Sequence, residues 1–157
     1  MSERKIPVSV FEPDRAILTR MNGTWLVFRP LAYDLGRKNS GLRITVPKDY
    51  SSDLASIHWS LQWFLPRRGK HDGPALLHDW LYNTHLVSRP IADAIFHEAL
   101  LVCGVSPFKA WVMVTAVRFF GGPAYRRGPD TLRKRAPEWA HLIFDQPALE
   151  GREKERM

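Results

Sequence analysis

The stretch Leu76–Tyr82, read L-L-H-D-W-L-Y, constrains this chain more than any other segment. His78 and Asp79 stand side by side in an apolar run of helical character, with Tyr82 one turn further on. Burying two titratable groups without partners costs several kcal/mol, so the fold must pair them, ligate them or use them in chemistry. Asp53, His71, Asp72, His85, Asp93 and His97 lie around them, a density of His and Asp that the rest of the chain lacks. The pattern points to acid/base or metal chemistry on one helix. It names no substrate.

Residues 1 to about 50 read as strands. Val8 and Val10 alternate with polar neighbours, Ala16 to Leu18 form a short run, and Thr24 to Phe28 are rich in β-branched and aromatic residues. Leu42 to Val46 alternate cleanly, Gly36 to Gly41 suit a hairpin loop, and Pro47 stops the strand. From Ser51 the period becomes helical. Ser52 or Asp53 is expected to cap a short helix closed by Pro66. Asp72 is expected to cap the next, with Pro74 in its first turn, running through His78, Asp79 and Tyr82 to about Thr84. Ser88 caps a third that stops at Gly104, and Ser106 opens a fourth that ends at Gly121-Gly122. That fourth helix is apolar on nearly every side, which reads as a central position with Phe108, Trp111, Phe119 and Phe120 in the core.

The expected fold is α+β, a small N-terminal antiparallel sheet packed against a cluster of about four helices. Residues 1–125 read as a single globular domain. Residues 126–157 read as a basic, charged C-terminal extension docked on a partner, with one apolar island at Trp139 to Phe144 and a last stretch, Glu150 to Met157, that needs a partner to order it.

On a helix, His78 and Tyr82 share a face, whereas Asp79 points about 100° away. The short Thr84–Val87 connection folds the third helix back antiparallel, so Asp93 can reach His78 across the pair. A carboxylate on one ring nitrogen of a histidine fixes its tautomer and makes the other nitrogen a better base. The candidate catalytic set is therefore His78, Asp79, Tyr82 and Asp93, with Asp79 and Asp53 as candidate metal ligands. The same residues also suit a satisfied polar network that staples two helices, and Asp53 also suits a helix cap.

Composition narrows the classes. The 157 residues are 45% apolar, enough for one domain with a real core. No apolar run of membrane-spanning length occurs, and no secretory signal is read at the N-terminus. A single cysteine, Cys103, excludes an internal disulfide and a thiolate zinc site, and fits folding in a reducing cytoplasm. The net charge is +7, in clusters such as Arg67-Arg68, Arg126-Arg127 and Arg133-Lys134-Arg135. None is interleaved with aromatics as a base-stacking platform would be, so nucleic acid is not expected as a specific ligand.

Four ordered motifs carry a resemblance: V-P-K-D-Y-S-S-D-L-A-S-I, L-L-H-D-W-L-Y, V-S-R-P-I-A-D-A-I-F and A-V-R-F-F-G-G-P-A-Y. Over roughly residues 24 to 125 the chain resembles an uncharacterised family widespread in tailed phages and prophages. The resemblance implies a phage source and, taken with the charged tail that needs a partner, leads to the expectation of a protein made in the host cytoplasm and carried in the virion, in a tail, baseplate or neck, with other phage structural proteins as partners and self-association left open. The H-D-x-x-Y helix followed by a partner aspartate is also similar to the phospholipase A2 pattern. That similarity implies a small metal-assisted hydrolase acting on the cell envelope, with His78 as general base, Asp79 as a Ca2+ ligand, and Tyr82 and Asp93 holding the histidine. The chain departs from that pattern in having no glycine-rich calcium loop before the helix and no disulfides.

Overall fold

The computed structural model describes residues 9–13, 16, 18–21, 24–52 and 70–144. Its N-terminal part holds two antiparallel sheets of three strands each. In the first, β1 (Val10–Glu12), β4 (Leu31–Asp34) and β5 (Arg43–Val46) run in the order β1-β4-β5. In the second, β2 (Leu18–Met21), β3 (Thr24–Val27) and β6 (Ser51–Ser52) run in the order β2-β3-β6.

The hairpin over Gly36–Gly41 forms, with Gly36, Asn39 and Gly41 all at positive φ. It joins β4 to β5, not β3 to β5. β4 carries no alternation in its sequence because all four of its residues, Leu31, Ala32, Tyr33 and Asp34, are buried. A central strand covered on both faces has no polar face to show. In register, Tyr33 lies between Phe11 on β1 and Ile44 on β5.

Five helices follow among the described residues: α1 (Asp72–Thr84), α2 (Arg89–Val102), α3 (Pro107–Phe120), α4 (Gly122–Arg135) and α5 (Pro137–Phe144). The fold is α+β; α1, α2 and α3 are three of the helices read from the sequence, and α4 and α5 were not expected. Ser51 and Ser52, read as the start of the helical part with Ser52 as a possible cap, instead form β6, paired with Leu26 and Trp25. The rest of the short helix read up to Pro66, with Asp53, lies outside the described residues. α1 begins one residue earlier than expected, with His71 at the N-cap and Asp72 in the first turn. Asp72 there opposes the positive end of the helix dipole.

α1 is the axis of the core. Eleven of its thirteen residues are buried. One side lies over the sheet, where a Cβ on Gly73 would sit 3.8 Å from the Phe11 ring. Leu76, Leu77 and Leu81 join Val27, Leu31, Val46 and Tyr50 in the larger core, each fully buried leucine contributing about 1.5–3 kcal/mol. A second, smaller cluster lies between α2 and α3, built from Phe96, Leu100, Ala110, Met113, Val114 and Val117.

α3 is not central. Ala110, Met113, Val114 and Val117 are its buried residues, and Phe108, Trp111, Phe119 and Phe120 stand in solvent. An apolar helix conceals in its sequence which side is covered. α4 is the element that the sequence hides most fully. Gly121-Gly122 ends α3, yet a new helix starts at Gly122 and carries Pro123 in its first turn and Pro129 inside. Residue 125 thus falls within α4, and Leu132, Ala136 and Ala140 belong to the same core as α1. α4 crosses α1 closely: a Cβ on Gly128 would sit 1.9 Å from the carbonyl oxygen of Tyr82. Residues 145–157, with the charged stretch from Glu150, lie outside the described residues.

Pro129 should break α4, because it has no N–H to give the carbonyl of Tyr125. His85 takes that carbonyl instead. Its Nε2 lies 2.7 Å from Tyr125 O, and its ring stacks on the Tyr125 ring at 3.9 Å and 8°. His85 is free to reach across because it caps α1 in the left-handed conformation, at φ 52°.

Candidate functional site

His78 sits at the middle of α1, one turn before Tyr82, and both are buried. Across the α1–α2 pair, His78 Nε2 meets Asp93 Oδ1 at 2.8 Å. The Tyr82 hydroxyl donates to the same Oδ1 at 2.7 Å. The expected antiparallel return of α2 therefore brings His78, Tyr82 and Asp93 together. With Asp93 as carboxylate, Nε2 carries the proton and Nδ1 is left with a lone pair. Nδ1 has no hydrogen-bond partner. Around it pack the rings of Tyr82 and Phe96, with centroids 4.0 and 4.6 Å from the imidazole.

Arg89 completes this network and was not among the expected residues. Its Nε donates to the Tyr82 hydroxyl at 3.4 Å and lies 4.0 Å from Asp93 Oδ2, one helical turn away. Its Nη2 donates to the carbonyls of Val117, at 3.1 Å, and of Arg118. The guanidinium thus sits on the negative end of α3 while facing a buried carboxylate. The i,i+4 spacing of Arg89 and Asp93 was the signal in the sequence that could have found it. Burial, then the hydrogen bond to Asp93, holds the Tyr82 hydroxyl protonated well above the ordinary tyrosine range.

Asp79 faces elsewhere, as the 100° step requires. Its Oδ2 accepts from the hydroxyls of Tyr50 and Ser52, each at 2.8 Å. Asn83 Nδ2 donates to the Tyr50 hydroxyl at 2.5 Å. This second network ties α1 to β6. Burial and the Asp79 charge push the Tyr50 hydroxyl well above its usual range. Tyr50 and Ser52 lie in the V-P-K-D-Y-S-S-D segment, but nothing local in that segment says which helix they will meet.

The four expected catalytic residues thus fall into two networks, with His78, Tyr82 and Asp93 in one and Asp79 in the other. Among the described residues no group of three or more His, Cys, Asp or Glu converges on a point that could hold a metal ion. Calcium prefers six to eight oxygen ligands. The described donors around Asp79 do not fit it, because a single carboxylate there already accepts from two hydroxyls. Burial pushes the Cys103 thiol up to about 11, which disfavours the thiolate at neutral pH.

A family model described as "Protein of unknown function (DUF1353)" matches residues 25–117, more than half of the chain. The matched span covers β3 through most of α3, and with them every member of both networks. No curated protein matches, and no solved structure matches.

Proposed function

The chain belongs to the DUF1353 family of proteins of unknown function, and we propose that it is a non-catalytic, virion-associated component of a tailed phage, in the tail, baseplate or neck. One observation carries the non-catalytic half of this reading: His78 and Asp93 are 1% and 2% exposed. A general base must reach the proton that it abstracts, directly or through one water. His78 instead lies among Tyr82, Phe96 and Asp93, where it holds α1 against α2, while Arg89 ties the pair to α3. The phage half rests on the ordered motifs from the V-P-K-D-Y-S-S-D segment to A-V-R-F-F-G-G-P-A-Y. Its expected partners are other phage structural proteins.

The test is particle association. An epitope-tagged copy is expressed from the chromosome of the lysogenic source strain, the prophage is induced, and particles are banded on a density gradient. The reading expects the chain to band with intact particles and to stay with them after a salt wash. A chain found wholly among free proteins at the top of the gradient would sink it.

A second reading, a small hydrolase with His78 as general base, is favoured by one feature, the Nδ1 lone pair without a partner. Asp93 and Tyr82 orient the ring in the way such a base requires. Metal analysis of the parent beside a His78→Ala, Asp79→Ala double variant separates the two. Stoichiometric metal lost from a variant that still folds supports the hydrolase. A metal-free parent and an unfolded variant support the staple.

A further inference from the structure

We propose that the outward face of α3 docks onto the surface of an anionic lipid bilayer. At 100° per residue, Phe108, Trp111, Thr115 and Phe119 fall on one arc of the helix, opposite the buried arc of Ala110, Met113, Val114 and Val117. Phe108, Trp111 and Phe119 are 65%, 59% and 78% exposed, and Phe120 beside them is 65% exposed. The Phe108 and Trp111 rings stack on each other, with centroids 6.5 Å apart. α3 therefore has two apolar faces and covers only one. A contiguous aromatic face of this kind on a folded protein marks an interaction surface.

The charge carried by α3 and by the helix that follows it says what the face meets. Residues 107–135 carry seven Lys and Arg (Lys109, Arg118, Arg126, Arg127, Arg133, Lys134 and Arg135) against the single carboxylate of Asp130. Asp130 is itself 3.5 Å from Arg133. Six of the chain's seven net positive charges thus lie in α3 and α4. On the helix, Arg118 adjoins the aromatic arc beside Trp111, Lys109 lies about 80° beyond Phe119, and both are exposed. A second copy of the chain would bring the same cations against these, so self-pairing through this face is opposed. An anionic bilayer offers what both features need, a boundary layer that accepts Trp and Phe and phosphates that accept Lys and Arg. No helix among the described residues is long and apolar enough to cross a membrane. α3 lies along the surface, with its aromatic arc at the boundary between headgroups and acyl chains.

This proposal stands apart from the virion role: bilayer binding is read on purified protein, and particle association is read on gradients. The experiment is sedimentation of the full chain with vesicles of phosphatidylcholine and phosphatidylglycerol, beside vesicles of phosphatidylcholine alone. The parent is expected to bind the mixed vesicles, to bind the neutral ones about tenfold more weakly or worse, and to be released by salt. Trp111→Ser with Phe119→Ser should lower binding to the mixed vesicles by about tenfold or more without changing the circular dichroism, because both side chains are exposed. Arg126→Glu with Arg127→Glu should erase the preference for anionic vesicles. A parent that binds neither vesicle, or aromatic variants that bind as well as the parent, overturns the proposal. So does a parent that is dimeric by light scattering and becomes monomeric in the aromatic variants, which would make the face a contact between copies.

Discussion

At the scale of single residues, the network's cost is its dependence on every partner. Tyr82→Phe removes one hydrogen bond to a buried carboxylate and leaves Asp93 under-satisfied. Such a change costs about 1–3 kcal/mol. For a chain of this size that is a fall of roughly 2–12 °C in the unfolding midpoint, read by thermal denaturation. Asp34 makes a second residue-scale case, far from the site. Arg43 donates to it from Nε at 2.6 Å and Nη2 at 3.0 Å, and the Asn39 N–H donates at 2.9 Å. These bonds, Arg43 first, hold the Asp34 carboxyl at about 2. Its folded value lies below its unfolded one, so its contribution is complete above about pH 4 and is lost as pH falls toward about 2. Asp34→Asn should flatten that part of the stability profile, measured by denaturant midpoints across the acid range, and leave the slope at neutral pH alone. His78, Tyr82 and Asp93 were legible in the sequence because they obey local rules, Tyr82 one turn from His78 and Asp93 returned to it by a short connection, whereas Arg89 was missed. Asp79's partners were not legible, because Tyr50 and Ser52 reach it through strand pairing that local spacing does not encode.

At the scale of elements, α2 and α3 announce their ends with Ser and Pro where they begin and Gly where they stop. α4 does the opposite. Its Gly-Gly-Pro start reads as a terminator and Pro129 reads as a breaker, and only the contact with His85 repairs the missing bond. This makes a double-mutant cycle informative. His85→Ala leaves the Tyr125 carbonyl without its donor and should destabilise by about 1–3 kcal/mol. Pro129→Ala returns an N–H to that carbonyl within α4. The loss caused by His85→Ala should therefore be smaller in the Pro129→Ala background than in the parent, read from chemical denaturation of the four proteins. Equal losses in both backgrounds would show that His85 acts through stacking on Tyr125 alone. β4 was missed because all four of its residues are buried and leave no alternation to read, and α3 was found as a helix but its mostly apolar run did not say which side is covered.

At the scale of the whole molecule, α1 is the shared axis, and its polar groups tie it to α2 through Asp93 and to β6 through Ser52. The C-terminal helices belong to that arrangement: Leu132, Ala136 and Ala140 pack into the α1 core. A chain ended after Tyr125 should lose cooperative unfolding, whereas one ended after Phe144 should keep it, read by circular dichroism melts. The uneven placement of charge follows the chain itself: α3 and α4 together span residues 107–135, which hold six of the seven net positive charges. The central claim is that His78 and Asp93 are a staple, and the stability of single variants tests it most directly. His78→Ala and Asp93→Ala each break a buried pair and should each destabilise by about 3 kcal/mol or more. In a chain of this length the unfolding midpoint should fall by about 6 °C or more. Midpoints that stay level, or that rise as they do when a strained catalytic group is removed, would contradict the account.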